Sequence, residues 1–499
     1  MDPEQFYIFA KTSLADMQIR SLKNEETFAV FDRHGDIRPF GFENHGLYHL
    51  GTRFLSNKLL KIAGCQPLLL SSNMSEDNDL FVIDLTNRDY HDKKGNFIRT
   101  GTIHVCRSIF VRLGCYYEQL RISNYSTDPI EFDLSIDIDS DFVDLFEVRG
   151  AKRKKRGVRL PSVLADDNIT LGYEGLDNLK RYTNVSIFPA PEEISETQMC
   201  MKIKLAPLEK KSIYVLTRCA LEPTFKQFDD LSQEFPIAKK SYVPPYQHAI
   251  IESSHLVFNN WLCRSTSDLH MMLTRTKYGI YPYAGIPWYS TIFGRDGIIT
   301  AFQVLWMFPE VAEGVLRYLA AHQADALIPE QDAEPGKIVH EERKGEMAAL
   351  KEIPFGRYYG TVDATPLFVM LAGHYYDRTG DRALIEEIWP NIERALEWIN
   401  TYGDIDKDGF VEYTCRADGG LRNQGWKDSD DSIFHADGSL AQAPIALCEV
   451  QGYVYEAKLK ASQLAALLGK KEFSRQLHQE AVFLKKKFEE KFWCEELGI

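Results

Sequence analysis

Residues 219–247, "CALEPTFKQFDDLSQEFPIAKKSYVPPYQ", mark the point at which the pattern of the chain changes. The stretch contains a short helical pattern and then "VPP", and paired prolines are typical of a linker. Before it, apolar and polar residues alternate as in strands, and after it the apolar residues recur at helical spacing. A chain of 499 residues is also too long for one ordinary core. The sequence therefore predicts a β domain (1–235), a linker (236–247) and a helical domain (248–499).

The segments before the linker read as short antiparallel strands. In "IEFDLSIDID" (130–139) apolar residues alternate with polar ones, which predicts a half-buried strand. "FAVFDRHGDI" (28–37) places His-Gly between two short strands, and residues 101–129 read as two or three more. The basic run "KRKKR" (152–156) is expected at the tip of a β-hairpin. Many short strands at regular spacing predict a β-sandwich.

The segments after the linker predict about seven amphipathic helices. They cover residues 248–273, 294–308, 310–324, 364–380, 382–403, 443–469 and 472–493. Two long connections between them, 324–361 and 404–441, show no periodic pattern. Because a compact helical domain rarely keeps structureless loops of that length unless they form a site, function is expected there.

Charge and composition exclude several classes of protein. A formal net charge of −14 argues against nucleic-acid binding, which requires clustered Lys and Arg. No apolar run approaches the roughly 20 residues that span a bilayer, and the N-terminal residues lack the pattern of a signal peptide. The nine cysteines are odd in number and contain no CxxC pair, which predicts reduced thiols in the cytoplasm rather than disulfides or a zinc site.

The first candidate loop is "YPYAGIPWYSTIFGRDG" (281–297), which combines several aromatic residues with Arg295 and Asp296. Aromatic rings stack on the C–H face of a sugar, and charged groups bond its hydroxyls directionally. This combination favours a carbohydrate site that includes Trp288. The alternative is that Asp296 only caps the helix that follows.

Three further loops present carboxylates. "DAEPGKIVHEERKGE" (332–346) contains His340 and Glu341, and "PFGRYYGTVDATP" (354–366) contains Asp363, which could also be a helix cap. "LRNQGWKDSDDSIFHADG" (421–438) places Trp426 beside several acids, and Glu449 begins the next helix. No Walker loop, GxSxG motif, dinucleotide fingerprint or metal-ligand spacing is present in these loops, so no cofactor is expected.

A possible calcium loop lies at "GDIDKDGFVEY" (403–413). Asp404, Asp406, Asp408 and Gly409 match the start of an EF-hand loop, but Cys415 stands where the bidentate Glu is required. A polar turn is the preferred interpretation, and calcium binding is the alternative.

Several long strings resemble one family. "GIPWYSTIFGRDGIITA", "DAEPGKIVHE", "PFGRYYGTVDATP" and "NQGWKDSDDSI", with "GLYHLGTRFLS" and "DLFEVRG" nearer the N-terminus, resemble the amylo-α-1,6-glucosidase type of bacterial glycogen-debranching-related proteins. The resemblance covers nearly the whole chain. It implies a glycoside hydrolase with an N-terminal antiparallel β-sandwich followed by an (α/α)6 toroid, as in glucoamylases and trehalases. Because a complete toroid has twelve helices, it also implies that this chain is a C-terminally truncated form with an incomplete toroid.

The resemblance also implies roles for individual residues. The general acid of such toroids lies in a Gly/Thr-Trp-x-Asp context after the fifth helix, which corresponds to Asp428. The Arg295–Asp296 pair corresponds to the pair that holds the hydroxyls of the terminal glucose. The remaining substrate-binding candidates are Trp288, Glu341, Asp363, Trp426 and Glu449. The acid must stay protonated, and Trp426 with Asp430 and Asp431 is expected to raise its pKa.

An inverting reaction needs a second carboxylate, which activates water at about 6.5–9.5 Å from the acid. In the family this base precedes the last helix, so it is expected beyond Ile499. Glu341 and Glu449 are the nearest substitutes within the chain.

Three functions are compatible with these features. The first is an inverting exo-acting α-glucosidase that releases glucose from α-1,6 branch stubs of glycogen-like polysaccharides or from related glucosides. The second is a non-catalytic carbohydrate-binding protein that lacks its base. A helical scaffold is the third, and it leaves the aromatic and acidic loops unexplained. The expected partner is an oligo- or polysaccharide, without nucleic acid or membrane, and the sequence predicts no oligomeric state.

Overall fold

The computed structural model describes residues 19–38, 44–223, 225, 231–240, 251–496 and 498. Contacts divide the chain into two compact units. The first comprises residues 1–272, 285–290 and 344–350, and the second comprises 273–284, 291–343 and 351–499. The predicted boundary was a single linker at 236–247, whereas two short later segments also group with the first unit.

Part of the predicted linker is helical. Helix α2 runs to Lys240, which covers residues 236–240, and residues 241–247 lie outside the described residues. The N-terminal segment that was examined for a signal peptide also lies outside them.

The first unit consists mainly of strands, all of which pair antiparallel. These strands are β1 (Arg20–Asn24), β2 (Thr27–Phe31), β3 (Gly46–His49), β4 (Thr52–Leu55), β5 (Asn57–Ile62), β6 (Leu68–Met74), β7 (Phe81–Thr86), β8 (Tyr90–His91), β9 (Phe97–Ile98), β10 (Ile103–Arg112), β11 (Cys115–Asn124), β12 (Ile130–Asp139), β13 (Val158–Leu164), β14 (Asn168–Glu174), β15 (Lys180–Phe188), β16 (Glu193–Ile194), β17 (Gln198–Leu205) and β18 (Lys210–Ala220). Its helices are α1 (Leu145–Val148), α2 (Leu231–Lys240), α3 (Leu256–Met272) and α6 (Glu346–Ala349).

Sixteen of these strands form an eight-stranded sheet, in the order β13-β14-β15-β18-β11-β10-β7-β6, and two four-stranded sheets, β16-β17-β12-β5 and β1-β2-β3-β4, while β8 and β9 pair separately. Apolar side chains from all three sheets meet in one core. In β12 the alternation of the sequence becomes alternating burial: Ile130, Phe132 and Leu134 face the core. The predicted antiparallel β domain is therefore confirmed.

Several local predictions can be compared with this unit. The strand predicted at 130–139 coincides with β12, and residues 101–129 contain β10 and β11. Of the two strands predicted in 28–37, only β2 forms, because the Asp32 carboxylate accepts from the amides of His34 and Asp36 and closes a turn.

The basic run 152–156 does not lie at a hairpin tip, so that prediction was wrong. It belongs to the connection between α1 and β13, where Arg153 is buried and lies 3.1 Å from the Glu346 carboxylate. A carboxylate partner allows this arginine to be buried.

A closed ion network lies inside the first unit. The guanidinium of Arg107 donates to Asp36 Oδ1 at 2.6 Å and to Glu118, and the ammonium of Lys58 also donates to Glu118. None of these four residues is more than 1% exposed. Two cations and two carboxylates thus neutralise one another away from solvent.

The second unit is mainly helical. Its helices are α4 (Gly294–Val304), α5 (Pro309–Ala321), α7 (Ala364–Thr379), α8 (Arg382–Thr401), α9 (Cys448–Leu467) and α10 (Lys471–Lys491). Its strands are β19 (Leu273–Thr276), β20 (Gly279–Pro282), β21 (Ile292–Phe293), β22 (Glu341–Glu342) and β23 (Arg357–Tyr358). With α3, these helices account for all seven predicted helical segments, although contacts place α3 in the first unit and none of its residues is buried.

Local sequence explains where these helices begin and end. Pro309 opens α5, the Asp381 carboxylate caps α8 by accepting from the Leu384 amide at 3.1 Å, and Gly380 ends α7 in a left-handed conformation. Helix α7 is the centre of the unit: it is mostly buried and packs against α4, α5, α8 and α9. The predicted order, β domain followed by helical region, is confirmed.

The two long connections differ. The connection 324–361 was expected to be structureless. That prediction was wrong, because it contains β22 and β23, which pair with β21 in a small sheet. These two-residue strands are too short to show a period in sequence. The connection 404–441 is irregular. Within the part of the chain that the structure describes, none of the helices combines the length and apolar character needed to cross a bilayer.

Candidate active site

One arginine joins three elements of the second unit. Arg295 lies in the first turn of α4, and its side chain is 11% exposed. Its Nη1 donates to Asp363 Oδ2 at 3.2 Å and to the carbonyl oxygen of Gly425 at 2.8 Å, and its Nη2 donates to Asp428 Oδ2 at 3.1 Å. We call residues 404–441 the acid loop. The guanidinium therefore fixes the acid loop to the starts of α4 and α7.

Glycines permit this close approach. A Cβ atom on Gly294 would lie 2.0 Å from the carbonyl oxygen of Val339, so only glycine fits at the start of α4. A Cβ atom on Gly425 would lie 2.2 Å from Leu447 Cδ1 and 3.9 Å from Glu449 Oε1. The turn that carries the predicted acid thus lies directly on the start of α9 and beside Glu449.

Asp363 binds the arginine rather than capping its helix. It occupies the position before α7, but its carboxylate accepts no hydrogen bond from the helix amides. The carboxylate instead accepts from Arg295 and from the hydroxyl of Thr361, and the residue is 1% exposed. The alternative interpretation of Asp363 as a cap is therefore not supported.

Asp296 is also not a cap, because α4 begins at Gly294 with Phe293 in the capping position. Its side chain is 40% exposed. Burial raises the pKa of Asp296 above its usual value, Arg295 opposes this change, and Asp363 and Asp428 add to it. Asp296 is therefore close enough to Arg295, Asp363 and Asp428 for their charges to change its pKa.

Trp426 and Asp428 are accessible. The tryptophan is 71% exposed and the aspartate side chain is 41% exposed, next to each other in the acid loop. An open aromatic ring beside hydrogen-bonding charges is the combination that a sugar requires.

Two residues of α9 border the same group. Glu449 is in the first turn, and Tyr453 follows one turn later. Burial raises the pKa of Tyr453, Asp363 and Glu449 raise it further, and Arg295 opposes them. Tyr453 was missed from the sequence, although its i, i+4 spacing from Glu449 places both on one helix face.

Two predicted site residues have other partners. Glu341 is 5% exposed on β22, and its carboxylate accepts from Arg343 Nε at 2.8 Å. Trp288 belongs to the first unit, where it packs on the small cluster around Tyr48 and lies 5.8 Å from the Arg149 guanidinium.

The possible calcium loop brings three carboxylates together. Ligand oxygens of Asp404, Asp406 and Glu412 lie within 4.8 Å of one another. Burial raises the pKa of Glu412 above its usual value, and Asp406 adds to this effect. Cys415 lies elsewhere, with its Sγ 3.5 Å from the carbonyl of Ala417. The three oxygens are of the kind that calcium accepts, and calcium binding stays the alternative to the predicted polar turn.

Comparisons with known proteins agree with the fold. Residues 22–216 match the model for the N-terminal domain of some glycogen debranching enzymes, and residues 337–499 match the bacterial α-L-rhamnosidase six-hairpin glycosidase domain. No curated protein is significantly similar to the chain in sequence.

Among solved structures, a bacterial glucoamylase complexed with acarbose matches with a TM-score of 0.54 and 11% identity, over 94% of this chain and 66% of its own. A rhamnosidase from Bacillus sp. GL1 matches with a TM-score of 0.36 and 10% identity, over 78% of this chain and 34% of its own. A rhamnosidase from Klebsiella oxytoca with rhamnose bound has a TM-score of 0.34 and 12% identity, over 67% and 64% of the two chains. The chain thus spans 66% of the glucoamylase and about a third of the Bacillus enzyme.

Of these three structures, the glucoamylase has a TM-score above 0.5 and supports the fold. Residues 337–499 match a six-hairpin glycosidase domain, which agrees with that fold. More particularly, the N-terminal match supports a glycogen-debranching-related glycosidase family, which confirms the resemblance found in the sequence motifs.

Proposed function

We propose that the protein is an inverting, exo-acting α-glucosidase of the amylo-α-1,6-glucosidase type. Its substrates would be glycogen-like polysaccharides or related glucosides. The observation that carries the proposal is Arg295, whose guanidinium binds Asp363 on one side and the half-exposed Asp428 on the other, beside the exposed ring of Trp426. The nine cysteines, odd in number and without a CxxC pair, support a cytoplasmic location.

The arrangement suits one terminal sugar. Arg295 and Asp296 offer donors and acceptors to its hydroxyls, and Asp363 holds the guanidinium in place from the buried side. The indole of Trp426 offers a face for stacking, and aromatic faces bind the C–H surface of a sugar ring.

Asp428 is assigned the role of general acid, which protonates the glycosidic oxygen as the bond breaks. A general acid has to face the glycosidic oxygen, whereas Asp428 Oδ2 accepts from Arg295 Nη2. We therefore assign a second role to the substrate. Its hydroxyls compete for Nη2, and the Asp428 carboxyl is then free to turn toward the glycosidic oxygen.

The second carboxylate of an inverting reaction has to reach a water molecule. Glu341 is buried and bonded to Arg343, so it is a poor candidate. Glu449 borders the Gly425 turn and is only half-buried, so it is the carboxylate within this chain to test as the base.

The contact between Arg295 and Asp428 also favours a second candidate, a carbohydrate-binding protein without catalysis. If the pair persists with sugar bound, the Asp428 carboxylate stays bonded to Arg295 and cannot reach the glycosidic oxygen. Binding would then proceed through Arg295, Asp296 and Trp426 without hydrolysis.

The test is to incubate the 499-residue chain with a branched limit dextrin and to follow released glucose by NMR with the anomers resolved. Initial release of β-glucose is expected for the inverting α-glucosidase. Initial release of α-glucose would contradict inversion. Glucan binding without any glucose release, from a folded protein, would support the carbohydrate-binding alternative.

A further inference from the structure

A buried carboxylate outside the arginine group contacts the acid loop at several points. Asp332 is 3% exposed. Its Oδ1 accepts from the backbone amides of Arg416 at 2.6 Å and Ala417 at 3.2 Å, and its Oδ2 accepts from Gln424 Nε2 at 3.1 Å. Three of its partners therefore belong to one stretch of the acid loop, 416–424, which ends directly before Gly425.

Tyr358 adds a second connection to the same stretch. Its hydroxyl donates to Asp332 Oδ2 at 2.7 Å and accepts from the amide of Leu421 at 2.8 Å. The ring is fully buried, which holds the hydroxyl in place. A phenol and a carboxylate thus form one hydrogen-bonded unit whose remaining partners lie on the acid loop.

The backbone of Asp332 supports a specific role. The residue adopts a left-handed conformation with φ of 50°, which non-glycine residues rarely adopt. Such a conformation persists where surrounding bonds determine it. Here the residue ends the 3-10 turn Pro329–Gln331: its amide donates to the Pro329 carbonyl and its carbonyl accepts from Lys337 Nζ, both at 3.1 Å. These backbone bonds and the bonds of the carboxylate to the acid loop fix the residue from two sides. The nearby Glu334 reaches the same stretch by one ion pair: its Oε1 lies 2.8 Å from Arg416 Nη1, while its Oε2 accepts from the indole of Trp398 on α8.

We propose that Asp332 and Tyr358 are positioning residues that hold the acid loop so that Asp428 meets Arg295. Neither residue touches the proposed substrate position, and each acts through the 416–424 stretch. The inference rests on the proposed role of Asp428. Catalytic geometry is sensitive to such support, since a misplacement of about 1 Å can cost about 100-fold in rate.

Two adjacent tyrosines provide a matched experiment. Tyr358→Phe removes the hydroxyl that bonds Asp332 and Leu421. Tyr359→Phe removes the hydroxyl of a neighbouring buried tyrosine, which donates to the carbonyl of His322 at 2.8 Å rather than to the acid loop. Both variants lose one hydroxyl from a buried tyrosine and keep the ring, so packing of the ring is the same in the two.

The expected result is a fall in kcat of about 10- to 100-fold for Tyr358→Phe, with KM within about twofold of wild type. Tyr359→Phe should leave kcat and KM nearly unchanged. Equal kcat for the two variants would overturn the proposal, because a general effect of losing a buried hydroxyl would then explain the result.

Hydrogen exchange supplies a readout that does not depend on activity. In Tyr358→Phe the amides of Arg416, Ala417 and Leu421 should exchange at least about tenfold faster than in wild type, and in Tyr359→Phe they should not. Unchanged exchange at these amides would overturn the proposal. If wild type releases no glucose from any glucoside, the proposed function fails, and the exchange experiment still decides whether the two residues hold the loop.

Asp332→Asn serves as a second variant. The amide keeps the shape of the side chain, and its oxygen can still accept from the backbone amides. Its NH2 group is a donor and can accept neither from Tyr358 nor from Gln424. It should accelerate exchange at Leu421 as Tyr358→Phe does. Acceleration confined to Tyr358→Phe would overturn the assignment of Asp332.

Discussion

Two arginine–carboxylate groups, one in each unit, use the same chemistry in opposite surroundings. Arg107 in the first unit is bound by Asp36 and Glu118, and all three residues are fully buried. In the second unit, Arg295 is bound by the buried Asp363 and by Asp428, whose side chain is 41% exposed.

The difference between the groups lies in what can replace a partner. In the first unit, water and ligands are excluded, so removal of one ion leaves an unpaired buried charge. In the second unit, a sugar hydroxyl can replace Asp428 on Arg295, and the exchange costs little in an accessible site. The same pair of residue types is therefore structural in one unit and available for a ligand in the other.

We call the Arg107 group the closed group and the Arg295 group the open group. Replacing one acid of each group by its amide tests this comparison most directly. In the open group, Asp428→Asn should lower turnover about 1,000- to 10,000-fold, because the amide cannot donate the proton of a general acid. Glucan affinity should change little. The measurement is initial glucose release from limit dextrin together with binding by calorimetry.

Asp430→Asn is the control for this prediction, since Asp430 lies in the same acid loop two residues away. If Asp428→Asn retains turnover while Asp430→Asn loses it, the acid has been assigned to the wrong aspartate.

In the closed group, Glu118→Gln should destabilise the protein by about 3–5 kcal/mol, because Arg107 and Lys58 both lose a buried carboxylate. Asp428→Asn should cost less than about 1 kcal/mol, as for other accessible pairs. Urea unfolding of the two variants measures both values. Equal losses would show that the open group is as structural as the closed one.

The open group could be predicted from the sequence, whereas the residues that position it, Asp332 and Tyr358, could not. Arg295 and Asp428 stand in long recognisable strings, and the alternation in 130–139 placed β12 correctly. Asp332 and Tyr358 carry no local signal, because their partners in the acid loop are more than 60 residues away. Trp288 was grouped with Arg295 because the two are close in sequence, whereas contacts assign it to the first unit.

Burial of an acid also has different consequences in the two units. Burial raises the pKa of Asp144 in the first unit to about 6, and it raises the pKa of Asp296 at the open site. The amides of Phe146 and Met347 donate to Asp144 and lower its pKa, but burial outweighs them, so the proton of Asp144 is coupled to folding. Asp296 is half-exposed beside Arg295, so its proton should be coupled to ligand binding.

The raised pKa of Asp144 determines how its contribution to stability changes with pH. The folded protein binds the proton more tightly than the unfolded chain. Protonation of Asp144 therefore stabilises the folded state at low pH, and this stabilisation is lost as pH rises through about 6. Asp144→Asn cannot titrate. Between pH 4 and pH 7 the stability of Asp144→Asn relative to wild type should therefore rise by about 2–3 kcal/mol.

Urea unfolding at the two pH values measures this difference, with Asp128→Asn, at an exposed position, as the control. A relative stability of Asp144→Asn that stays constant with pH would show that Asp144 does not couple protons to folding.

The smallest expected effect belongs to the most exposed part of the open group. Trp426→Ala should weaken glucan binding about three- to tenfold, because a stacking face is lost, while stability should change by less than about 0.5 kcal/mol. Trp306→Ala is the matched control: Trp306 is also in the second unit and is 58% exposed, but it lies at the end of α4, outside the acid loop. Calorimetric titration with a linear maltooligosaccharide measures both. Equal weakening by the two variants would mean that any exposed indole contributes alike, and Trp426 would then have no special part in holding a sugar beside Arg295.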